Sequence, residues 1–167
     1  LSQALGSGGD GILFTNGANQ NTVRTLRIKD TGGSGIRLTG SGVKHNRIEP
    51  LRTGILDNFV EHAADYGVLI ENGANRNGIH PGRIFGESSG GGSFGMGGIL
   101  VTGGGTDHNT VGDIGSAGNA DTFRADVLNY EGDQAGAFGI RIEAGAQHNR
   151  IVDTSVGNIR GNGAVIA

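Results

Sequence analysis

An all-β solenoid of stacked parallel strands is the fold this sequence predicts, and three observations carry that prediction. One short phrase recurs along the chain, its apolar residues alternate with a period of two, and no hairpin signal separates one copy from the next. The phrase runs Gly, aliphatic, any residue, aliphatic, a corner of small residues, then Asn, any residue, Ile or Val. It reads Gly11-Ile12-Leu13-Phe14 with Asn21-Thr22-Val23, then Gly35-Ile36-Arg37-Leu38 with Asn46-Arg47-Ile48, then Gly67-Val68-Leu69-Ile70 with Asn77-Gly78-Ile79. The fourth copy is Gly98-Ile99-Leu100-Val101 with Asn109-Thr110-Val111, and the fifth Gly139-Ile140-Arg141-Ile142 with Asn149-Arg150-Ile151. A shortened Gly163-Ala164-Val165-Ile166 ends the chain.

The first strand of each copy follows the leading glycine. Ile12 and Phe14, or Ile140 and Ile142, point to one side, and Leu13 or Arg141 to the other. The corner after it holds residues small enough to let the chain bend: Gly17-Ala18, Gly73-Ala74, Gly103-Gly104-Gly105 and Gly145-Ala146. The Asn phrase supplies a second strand. Asn tolerates the left-handed backbone of a tight corner, and its amide can both donate to and accept from an equivalent amide one coil away. Asn21, Asn46, Asn77, Asn109 and Asn149 are therefore expected to form a ladder.

A third strand fits the remaining gap, at Leu26-Arg27-Ile28 and Asn58-Phe59-Val60, with Ile84-Phe85, Val127-Leu128 and Val156 to Ile159 in the same role. The leading glycine and the Asn are 10 or 11 residues apart, whereas successive leading glycines are 24, 32, 31, 41 and 24 residues apart. The extra residues are expected as insertions at about 49–57, 86–97 and 112–138 in one domain covering 1–167, or in a fragment of a longer solenoid. Helix finds support only briefly, around Asn58 to Asp65, because Gly interrupts every other apolar stripe. A single turn cannot offset the ordering entropy of its own residues, about 1–2 kcal/mol each, so stacked neighbours must supply the burial.

Composition excludes several alternatives. The chain has 35 Gly but only 2 Pro and no three-residue period, which rules out collagen. With 35% apolar residues and a net charge of −3, disorder does not fit. The absence of Cys removes disulfides and thiolate metal sites. Thirteen Lys and Arg against 16 Asp and Glu offer no electrostatic case for nucleic acid, and no apolar run reaches the roughly 18 residues of a membrane span. Leu1 opens no signal peptide, so a mature or excised product is expected.

These Gly-Ile-x-Leu and Asn-x-Ile repeats, from about Leu5 to Ile166, resemble the right-handed parallel β-helices of the pectin-lyase-like superfamily. The resemblance implies a right-handed, single-stranded parallel β-helix of about five coils, three short strands per coil. It leaves function open, since that superfamily includes polysaccharide lyases, hydrolases and epimerases, phage tailspikes, adhesins and surface proteins.

Residues on the outer side of the first strand are the candidates for glycan binding. Arg37, Glu71, Arg141 and Glu143 fall there, and Arg37 beside Glu71 and Arg141 with Glu143 would suit uronates, or would form exposed ion pairs worth about 0–1 kcal/mol. Arg27-Ile28-Lys29 is similar to a polygalacturonase motif and Asp65-Tyr66-Gly67 to an epimerase motif, but the residues that should accompany each are missing. No acidic pair or cluster recurs at coil spacing, so no catalytic residue, cofactor or calcium site is assigned. His45, His108 and His148 each precede a ladder Asn, where Gln20 and Arg76 stand in other copies. His108 and His148 would fall on consecutive turns and could share a metal ion, but that mixture reads better as a polar corner position, and no metal is assigned. A threonine array for ice binding is interrupted, since Glu71 and Glu143 separate Thr15, Thr39 and Thr102.

The start falls within a third strand near Ala4-Leu5 and the end within a first strand, with no capping helix at either. Uncapped ends imply a longer β-helix or coverage by other copies. The expected role is a secreted or cell-surface rod, self-assembling fibre or adhesin element. The alternative is a carbohydrate-binding or polysaccharide-degrading β-helix.

Overall fold

The computed structural model describes residues 2–24, 26–49, 59–80, 83–86, 96–112, 125–129, 138–152, 154–157 and 162–167. Among them are seventeen strands, numbered along the chain, and no helix. Every strand lies in one of three sheets, and all neighbours are parallel.

Sheet A orders β1 (Ser2–Leu5), β4 (Leu26–Thr31), β7 (Phe59–Ala63), β10 (Arg83–Gly86), β13 (Ala125–Asn129) and β16 (Thr154–Gly157). Sheet B orders β2 (Ile12–Phe14), β5 (Ile36–Thr39), β8 (Tyr66–Glu71), β11 (Gly97–Thr102), β14 (Phe138–Glu143) and β17 (Asn162–Ile166). Sheet C orders β3 (Thr22–Arg24), β6 (Arg47–Glu49), β9 (Gly78–Ile79), β12 (Thr110–Gly112) and β15 (Arg150–Val152). Each sheet takes every third strand, the arrangement of a parallel β-solenoid.

Register stacks like on like. Ile36, Val68, Ile99 and Ile140 form one inward row of sheet B, and Phe14, Leu38, Ile70, Val101 and Ile142 another. Sheet C adds Ile48, Ile79 and Val111, and sheet A adds Ile28, Val60 and Ile84. These side chains are buried in one continuous core. Burying each contributes about 1.5–3 kcal/mol relative to exposure.

Of the two readings of the segment around Asn58 to Asp65, a third strand or a brief helix, the structure has the strand: β7 pairs with both β4 and β10. Val60 is buried in the row between Ile28 and Ile84, a burial that a helical turn there would forfeit. Of the three expected insertions, residues 50–57, 87–95, 113–124 and 130–137 lie outside the described residues, while 125–129 form β13. Among the described residues no helix is long and apolar enough to cross a membrane.

On the outer side of sheet C, Glu49 faces two arginines, with Arg24 Nε 3.2 Å from Oε2 and Arg47 Nε 2.5 Å from Oε1. The bond from Arg47, then that from Arg24, outweighs partial burial and holds the carboxyl below its ordinary value. The stabilisation is therefore complete above the unfolded value of about 4.3 and is lost as pH falls through the lower folded value. In urea unfolding at about pH 5 and pH 3, Glu49→Gln should lose less stability than the parent on acidification, by no more than about 1 kcal/mol for a surface pair.

Candidate functional site

The five ladder asparagines come together in a single column. Asn21 Nδ2 donates to Asn46 Oδ1 at 2.9 Å, Asn46 to Asn77 at 3.0 Å, Asn77 to Asn109 at 3.0 Å and Asn109 to Asn149 at 3.0 Å. The same oxygens accept the backbone N–H groups of Asn21, Asn46, Asn77 and Asn109 at 2.9 to 3.1 Å. The second amide hydrogen goes to a corner carbonyl: Ala18 from Asn46, Val43 from Asn77, Ala74 from Asn109 and Thr106 from Asn149. Asn46, Asn77 and Asn109 are buried, so this full set of partners is what makes their burial affordable.

The sequence pattern placed the left-handed backbone of the corner on the Asn. The left-handed residue of this corner is not the Asn but the residue before it: Gln20, His45, Arg76, His108 and His148 have φ between 53° and 57°. That backbone reversal aims the next side chain inward, where the amides stack, and leaves the left-handed residue's own side chain outside. The preceding corner is a tight turn closed by Ala18 N–H to Thr15 O, with equivalents at Val43, Ala74, Thr106 and Ala146. Asn16-Gly17, Asn72-Gly73 and Ala144-Gly145 all have positive φ at both central positions, the type I′ conformation.

The outer face of sheet B does not gather the four glycan candidates into one cluster. Register places Leu69 and Leu100 between Arg37 and Arg141. Arg37 binds Glu71 on the next strand through Nε at 2.9 Å and through NH2, with Asp10 Oδ2 3.6 Å from NH1. The bond to Glu71 is the main reason its affinity for the proton is raised further. Arg141 instead pairs within its own strand, Nε to Glu143 Oε2 at 2.6 Å. Each carboxylate thus already has a cation.

Between the two pairs lies an outer apolar cluster of Leu69, Leu100 and Phe138, with Tyr66 packed on it. The Tyr66 and Phe138 rings stack with centroids 6.1 Å apart, and the Arg141 guanidinium lies 5.5 Å from the Phe138 centroid. Gly97, paired with Tyr66, leaves room for this contact, since a Cβ there would lie 2.6 Å from the Phe138 ring. Burial, followed by the nearby charge of Asp65, raises the Tyr66 phenol above its ordinary value. Sequence reasoning named neither aromatic as part of this face. The signal was the position of each beside a leading glycine, Tyr66 before Gly67 and Phe138 before Gly139.

At the Asn corner the rings of His108 and His148 stack, centroids 5.0 Å apart. His45 occupies the equivalent left-handed position two copies earlier. Asp107, which sequence reasoning passed over, lies with Oδ2 3.3 Å from His108 Nδ1.

No protein-family model, no curated protein and no solved structure matches this chain.

Proposed function

We propose that the chain is a structural element: a right-handed parallel β-helix of about five coils that serves as a stiff rod and templates the addition of further rungs. The observation that supports this best is the run of three parallel sheets along one axis, locked by a buried amide column. Continuous ladders of this kind resist bending because each rung can move only by breaking bonds to both neighbours. At the edge of sheet B, Ile166 of β17 continues the inward row above Ile142 and is exposed. Such edges accept a parallel strand from a longer version of the chain or from a second copy, and head-to-tail contact of this type extends without closing.

Uronate binding or cleavage on the Arg37, Glu71, Arg141 and Glu143 face is the second reading. It has less support, because each carboxylate there is already paired with an arginine. An extracellular or cell-surface setting rests on the resemblance to surface β-helices.

Electron microscopy and sedimentation of the purified chain test the assembly reading. Rods longer than one subunit, about 25 Å at the usual strand spacing, are the expected result. A monodisperse monomer at all concentrations would remove it.

A further inference from the structure

We propose that Asp107, His108 and His148 form a binding site for a divalent transition-metal ion of the zinc class, which staples two successive coils at their Asn corner. Pairing of Asp107 with Gln147 puts the two corners in register, so the histidines that follow are direct neighbours across one rung. One donor atom from each of the three side chains lies within 4.8 Å of the other two. A tetrahedral ion with bonds of about 2.0–2.1 Å needs its donors on the order of 3.4 Å apart. The side chains of His108 and Asp107 are 52% and 36% exposed, which leaves them free to rotate that short distance with the backbone fixed.

The donor set selects the ion. Two imidazoles with one carboxylate suit zinc, nickel or copper, whereas calcium and magnesium require oxygen ligands. Partial exposure leaves the remaining coordination positions to water. The corner row itself shows that this combination is specific to one place. Gln20, His45 and Arg76 follow Asn19, Lys44 and Asn75, so a carboxylate precedes a corner histidine only at Asp107-His108. Among the described residues no other group of three such donors occurs.

The location adds a physical consequence. Gly98 and Gly139 are separated by 41 residues, the longest interval between copies. An ion shared by His108 and His148 closes that long excursion, where loop closure is entropically most demanding.

Zinc titration of the intact chain against a chromogenic chelator should give one equivalent bound and a raised thermal midpoint. His108→Asn and His148→Asn should each weaken binding by at least about tenfold, since losing even an outer-shell partner does as much. Asn tolerates the left-handed backbone at these positions, and circular dichroism verifies that the variants fold. His45→Asn should leave affinity unchanged. Copper-loaded parent protein should show two nitrogen donors by electron paramagnetic resonance. Absence of a stoichiometric site, a signal with fewer than two nitrogens, or undiminished binding in the double His variant overturns the proposal.

Discussion

Gly67→Ala should destabilise the protein by about 3 kcal/mol or more, at or beyond the upper end of the usual overpacking range. The leading glycine of each phrase is where sheet A hands the chain to sheet B. A Cβ on Gly67 would lie 2.2 Å from Ile84 Cγ2 and 2.8 Å from the carbonyl oxygen of Gly98. Gly35 meets Val60 and the Gly67 oxygen in the same way, and Gly11 meets Ile28 and the Gly35 oxygen. The first contact is with a fully buried side chain and the second with the backbone of the next rung, so neither can yield without disturbing a sheet. Gly104 has nothing within 4 Å of its added Cβ, and Gly104→Ala should stay within about 0.5 kcal/mol of the parent. Urea unfolding of the three variants Gly35→Ala, Gly67→Ala and Gly104→Ala checks the contrast. Equal midpoints would show that the rungs separate easily at this corner.

Asn77→Ala should be comparably severe, about 3 kcal/mol or more, because several buried groups lose partners together. Its amide donates to Asn109 Oδ1 and Val43 O, and its oxygen accepts from the backbone and side chain of Asn46. Asn77→Asp preserves the shape but cannot donate as a carboxylate and places a charge in the column. It should be at least as destabilising near neutral pH, with part of the loss recovered on acidification as the carboxyl is protonated. Asn21, exposed at the end of the column, should tolerate alanine at a cost of about 1 kcal/mol. Thermal unfolding distinguishes the cases, and similar losses at Asn21 and Asn77 would mean that ladder position does not matter.

The repeat itself disclosed most of the architecture, because stacked rungs impose the same environment on the same position of every copy. Ile36, Val68, Ile99 and Ile140 are alike in the sequence because they are alike in space. The recurrence of the leading glycine was visible for the same reason, but its cause was not. These glycines do not adopt positive φ; they are confined by an isoleucine or valine on the sheet A strand of the next coil and by a carbonyl one rung away. The left-handed position was misassigned by one residue, from Gln20 or His108 to the following Asn. Sequence shows that a corner is polar but not which of its members reverses the backbone.

By itself the sequence determined that the chain is all-β, where its strands fall, and which five amides stack, since period-two alternation and a recurring phrase are local properties copied along the chain. The pairings of Arg37 with Glu71 and of Arg141 with Glu143 were already suggested by the sequence, and only the tertiary structure decided how each charge is held. Arg37 reaches across to Glu71 while Arg141 turns to Glu143 in its own strand, and Asp107 comes beside two histidines 40 residues apart in the chain. Those choices depend on register between neighbouring rungs, and register is set by how far the intervening insertion carries the chain before it returns.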